Sequence, residues 1–97
     1  MEYTAFVYKN ANDLTSKEEW TAFFDRAREA GIYRGGYALG IHYKIGNFEI
    51  DELTDAISGY MHLEADDLEQ VMALLRTHPI VAKGGSISLC EIPKKFD

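Results

Sequence analysis

The chain has 97 residues, 46% of them apolar and 12% aromatic, with a formal net charge of −6. That length supports one small core and a single domain, 1–97, and the apolar share excludes a disordered chain. The acidic balance argues against nucleic acid, because a polyanion is repelled by such a surface and no basic stripe offsets it.

Glu2 to Lys9 alternates Tyr3, Ala5 and Val7 against Thr4, Phe6 and Tyr8. Both faces are apolar, which predicts a central strand. Asn10, Asn12 and Asp13 form a turn cluster. Ser16 and Glu19 make a capping box. The helix that follows carries Trp20, Phe23, Phe24 and Ala27 on one face and ends at Gly31. A stripe of rings at this spacing reads as core, since one apolar face is what docks a helix.

Ile32 to Tyr43 is strand-like, broken by Gly35, Gly36 and Gly40. Arg34-Gly35-Gly36 matches no phosphate-binding loop, because no helix start follows it. Gly46-Asn47 resembles a hairpin turn, with Phe48 to Ile50 as a short return strand. Ile57 to Glu64 alternates again: Met61 and Leu63 share a face with Gly59, while Tyr60, His62 and Glu64 share the other. Asp66 is expected to cap a second helix with the stripe Leu68, Val71, Met72 and Leu75, stopped by Pro79. Gly84-Gly85 then turns into a last strand, Ser86 to Ile92.

The order predicts an α+β domain. It is a ferredoxin-like βαββαβ antiparallel sheet with two helices on one face and a hairpin insertion near 40–56. Eight of the sixteen acids lie between Lys44 and Arg76, where no Lys or Arg occurs; this window reads as a solvated face. Cys90 is the only cysteine, so no intrachain disulfide forms, and no zinc-type spacing is present. No metal or cofactor is expected. MEYTAFVYK lacks the apolar run of a signal peptide, and no stretch approaches a membrane span, so the expectation is a cytoplasmic protein without membrane contact.

Several pieces together resemble one family. They are the opening strand Glu2 to Lys9, Ala30-Gly31-Ile32 with Gly35-Gly36, Ser58-Gly59-Tyr60, Leu63-Glu64-Ala65, Pro79, and Gly84-Gly85-Ser86. Their order and spacing are similar to the YCII-related domains, which include the DGPF proteins. The resemblance implies a dimeric α+β barrel: the helix-free faces of two sheets pack together and leave a pocket. An uncovered sheet face carrying Phe6 and Tyr8 agrees with a homodimer. The chain also departs from the family. The DGPF tetrapeptide is absent. Trp20 or a neighbour stands where many small members carry a His, and His78 stands where they carry an Asp before the late Pro; that His and Asp are thought to form a catalytic pair. Ser88 and Cys90 replace an alternating Glu and Arg on the last strand.

His62 and Tyr60 are the candidate catalytic residues, two apart on the uncovered face, where His can act as a base near neutral pH. The plainer reading is a structural pair satisfied across a dimer. His42, with Lys44, lies on the inserted segment as either an exposed polar residue or a pocket wall, so the candidate binding set is His42, Tyr60, His62 and Tyr8. His42, His62 and Glu64 could in principle meet at a metal, but their spacing does not require it. Cys90 reads as a small buried hydrophobe. His78 reads as a helix-terminal residue whose cationic ring favours the negative end of the dipole. Two functions remain: a dimeric small-molecule-binding or accessory protein, and a cofactor-independent lyase, isomerase or dehalogenase-like enzyme in a pocket between the sheets. Loss of the family's pair favours the first.

Overall fold

The computed structural model describes residues 1–9, 14–47, 56–94 and 96. Four strands form one antiparallel sheet: β1 (Glu2–Tyr8), β2 (Tyr33–Ala38), β3 (Ile57–Glu64) and β4 (Ile87–Ile92), in the order β2-β3-β1-β4. The helices are α1 (Lys17–Glu29), α2 (Leu68–Leu75) and the single turn α3 (Pro79–Ala82). This is the ferredoxin-like arrangement expected from the sequence. β1 is central because both its faces are apolar and both its edges are paired.

The core lies between the sheet and the helices. Tyr3, Ala5, Val7, Met61 and Leu63 face Phe23, Ala27, Val71, Leu74, Leu75 and Ile80. α1 starts as its sequence requires: the Ser16 hydroxyl accepts from the Glu19 amide and the Glu19 carboxylate accepts from the Ser16 amide, each at 3.2 Å. It stops at Gly31, whose φ of +72° is the left-handed conformation of a helix end. There the Gly31 amide donates to Arg28 and the Ile32 amide to Ala27, which satisfies two orphan carbonyls.

Three expectations about the second half need correction. The cap of α2 is Asp67, not Asp66: its carboxylate accepts from the Gln70 amide at 2.9 Å, while the Gln70 side chain reaches back to the Asp66 amide. The buried stripe is Val71, Leu74 and Leu75, with Leu68 46% exposed and Met72 half-buried. α2 ends before Pro79, and Pro79 opens α3, where a missing N–H costs nothing.

β2 also ends earlier than expected, at Ala38 rather than Tyr43. Its partner β3 begins at Ile57, so Ala38 pairs with Gly59 and Leu39 makes one more bond to Ser58, where the ladder among the described residues ends. Residues 39–47 carry no regular structure. The turn cluster at Asn10, Asn12 and Asp13 and the return strand Phe48 to Ile50 lie outside the described residues.

β2 is bulged. Tyr33 pairs with Leu63 and Gly36 with Met61, so three residues on β2 span two on β3. Gly35 takes φ +106° inside the bulge. At Gly36 a Cβ would run into the Tyr60 carbonyl oxygen, so only glycine allows this close approach of the strands.

Candidate functional site

The register assembles the open face. Thr4 lies between His62 and Cys90, and Phe6 lies between Tyr60 and Ser88. Tyr37 pairs with Tyr60, and their ring centroids are 5.8 Å apart. His62, Tyr60 and Tyr37 line a depression of about 280 Å³ beside the β2 bulge. Arg34, at its rim, is held by the Gly31 carbonyl at 2.7 Å and by Glu64 at 3.5 Å. The His62 Nε2 is closed off from solvent and has no hydrogen-bond partner among the described residues.

The other two binding candidates lie elsewhere. The His42 ring nitrogen Nε2 meets the Ile57 carbonyl at 3.0 Å, and Tyr8 pairs with Ile57. Ile57 and His62 are five positions apart on β3, about 17 Å at ~3.3 Å per residue. The structure therefore joins His62 to Tyr60 and parts His62 from His42 and Tyr8. Glu64 is engaged with Arg34, and no three His, Cys, Asp or Glu side chains gather among the described residues. Cys90 is exposed on the open face in the single chain, not buried as expected, because it sits on edge strand β4 with no layer above it.

One cavity was not foreseen. It is a cleft of about 380 Å³ between α1 and the β2–β3 side of the sheet, lined by Trp20, Phe24 and Tyr33; Tyr37 and Tyr60 border it, with their rings on the open face. Trp20 and Phe24 belong to the stripe read as core, yet both are only partly buried. The reason lies beneath them. Gly36 and Gly59 form part of the cleft floor and supply no side chains to fill it. The signal was the pair of glycines opposite the rings, which becomes visible only once the register is known. At the rim the Arg28 guanidinium lies 5.7 Å from the Phe24 ring centre and 5.3 Å from that of Tyr33.

Behind Trp20 sits His78, fully buried rather than exposed at a helix end. Its Nδ1 accepts the Ile80 amide at 3.1 Å, which caps α3 and leaves the proton on Nε2. That Nε2 has no hydrogen-bond partner among the described residues. The ring stands perpendicular to Trp20 at 4.6 Å and tilted against Phe23 at 4.5 Å. Burial lowers the His78 pKa from 6.5 to about 4, so the ring is neutral, not cationic. Trp20 and His78 thus touch here as an indole and a sealed neutral imidazole. They form a wall and its backing, with no acid–base pair.

No family model matches the chain, and no curated protein matches it. Among solved structures it is similar to 5-chloro-2-hydroxyhydroquinone dehydrochlorinase from Burkholderia phenoliruptrix AC1100 in complex with 2,5-dihydroxybenzoquinone. The TM-score is 0.61 at 11% identity, over 98% of this chain and 96% of that one. The chain therefore has, along nearly its whole length, the α+β fold of that structure.

Proposed function

We propose that this is a small-molecule-binding protein of YCII-related type, assembled as a homodimer, and that its ligand is a small ring compound held in the cleft under α1. One observation carries the reading: a cleft of about 380 Å³ lined by the aromatic residues Trp20, Phe24 and Tyr33 over a floor that includes two glycines. Apolar pockets of this size, with a few polar groups, are the usual sites of small ligands. The rings offer flat faces for stacking, and the Tyr33 hydroxyl offers a hydrogen bond to an oxygen substituent. The similar dehydrochlorinase was solved with a quinone, which fits the same ligand class.

Trp20 is the only tryptophan and lines the cleft, so it reports occupancy directly. Titration with 2,5-dihydroxybenzoquinone should quench its fluorescence saturably. Ala38→Phe, which fills the cleft from β2, should weaken that quenching at least tenfold. Linear quenching that is identical in both proteins would be collisional and would end the proposal.

A second reading, a cofactor-independent lyase, isomerase or dehalogenase-like enzyme, draws on His62. On this reading the His62 ring, which lines the open-face depression beside Tyr60 and Tyr37 and whose Nε2 has no partner among the described residues, turns toward a bound ligand and takes its proton. On this reading His62→Ala removes turnover and leaves the melting temperature within a degree or two. A structural His62 instead loses about 1–3 kcal/mol of stability. A stable variant with unchanged ligand behaviour removes His62 from either role.

A further inference from the structure

Residues 39–45 continue β2 beyond the end of its ladder. Leu39, Ile41, Tyr43 and Ile45 alternate with Gly40, His42 and Lys44, the period of a strand with one apolar face. Their exposures are 38%, 82%, 85% and 90%. Two contacts steer the segment as it leaves the sheet: the Leu39 amide to Ser58 at 2.9 Å and the His42 ring to Ile57 at 3.0 Å. Beyond them the apolar face stands in water. It cannot be accommodated in the chain's own core, which is already closed around fully buried Phe23, Leu63 and Val71.

We propose that residues 39–45 are an arm that lies across the open sheet face of a second copy of this chain. The inference rests on the homodimer reading above and names the element that makes the dimer. Two uncovered surfaces are joined by one strand: the arm itself, and the face bearing Phe6, Tyr60 and Tyr37, the last 72% exposed. In a two-fold contact each copy offers the same patch to the other, so the arm of one reaches the face of its partner and the reverse holds at once.

The area agrees. Large side chains bury about 150–250 Å² each, so Tyr37, Ile41, Tyr43 and Ile45 supply on the order of 600 Å². Phe6 and Tyr60 bring the total near the roughly 800 Å² per partner of a standard stable interface. An extended, alternating apolar segment is also the element that pairs readily with a second chain. The arm would then roof the depression beside His62 and place a partner's side chain over it.

The test uses sedimentation of the full chain at micromolar concentration, with Cys90 alkylation as a second readout. Wild type should sediment at twice the 11.0 kDa chain mass, and Ile41→Glu/Tyr43→Glu should associate at least tenfold more weakly with an unchanged circular dichroism spectrum. Cys90, exposed in the single chain on the open face, should react at least tenfold faster in the variant than in the wild-type dimer. Should the double variant misfold, Ile45→Glu at the outermost position serves in its place. A wild type that is only monomeric, including one that floats with lipid vesicles instead, overturns both the dimer and the arm. A dimer that survives the substitutions keeps the dimer reading and overturns the arm. A dimer lost in the variant, with Cys90 equally reactive in both proteins, overturns the placement on the open face.

Discussion

Replacing Phe23 with alanine is expected to lower the unfolding free energy by about 3–5 kcal/mol. Phe23 is among the largest fully buried side chains, at the centre of the α1 face that seals the sheet. It packs against the Phe24 ring at 5.7 Å and the His78 ring at 4.5 Å. Both are held from other sides, so the void cannot collapse cheaply. A domain of this size has roughly 5–15 kcal/mol in all, so the loss is a large share of it. Urea unfolding should show a lower midpoint with an unchanged slope. Phe24→Ala, on the half-buried side toward the cleft, should cost less than half as much. Equal losses at the two positions would mean that the cleft side is packed as tightly as the core, which the structure does not allow.

Acidification from pH 6.5 to 4 is expected to remove about 3 kcal/mol through His78 alone. Its pKa is about 4 in the folded protein and 6.5 in a solvated histidine, and desolvation by burial is the cause. The unfolded chain therefore binds the proton more tightly. Stability on this account is fully present above pH 6.5, falls as pH drops toward 4, and levels off below. Carboxylates titrate in part of the same range, so the effect must be isolated. His78→Asn keeps an acceptor for the Ile80 amide and removes the titration. Melting curves should then show the variant losing stability less steeply than wild type between pH 6.5 and 4. Parallel curves would mean that His78 does not titrate as its burial requires. Phe23→Ala should also flatten the wild-type curve, because it opens one wall of the same pocket and relieves the desolvation.

The elements that were legible in the sequence are those set by neighbours along the chain. The Ser16–Glu19 box and the turn at Gly31 need only residues a few positions apart, and both ends of α1 follow from them. The alternation of β1 and β3 identified which residues face the helices, because a strand has only two sides. Where two local solutions were equally good, the choice went astray. Asp66 and Asp67 can each cap a helix, and only the fold decides between them. Pro79 can follow one helix or begin another.

Longer-range facts were not legible. The end of β2 is set by where β3 begins, nineteen residues after Ala38. The separation of His42 from His62 follows from the same pairing. The burial of His78 depends on Trp20 and Phe23 closing over it from α1, and the cleft depends on Gly36 and Gly59 lying beneath rings on another element. Each needs a contact between segments far apart in the chain, and no spacing of residues encodes it.

The position of β1 bears on how the chain acquires its structure. Glu2 pairs with Glu64 on one side and with Ile92 on the other. The central strand is therefore made well before either of its partners. Neither ladder can form until most of the chain has emerged, so β1 leaves the ribosome with an apolar residue run and nothing to pair with. Closing such long loops before any contact rewards them makes folding slow relative to helical domains of equal size. During that interval the exposed strand is open to chaperone capture or to pairing with another nascent chain. A chain cut before β4 would leave one edge of β1 bare, and its product should aggregate rather than fold to a smaller domain.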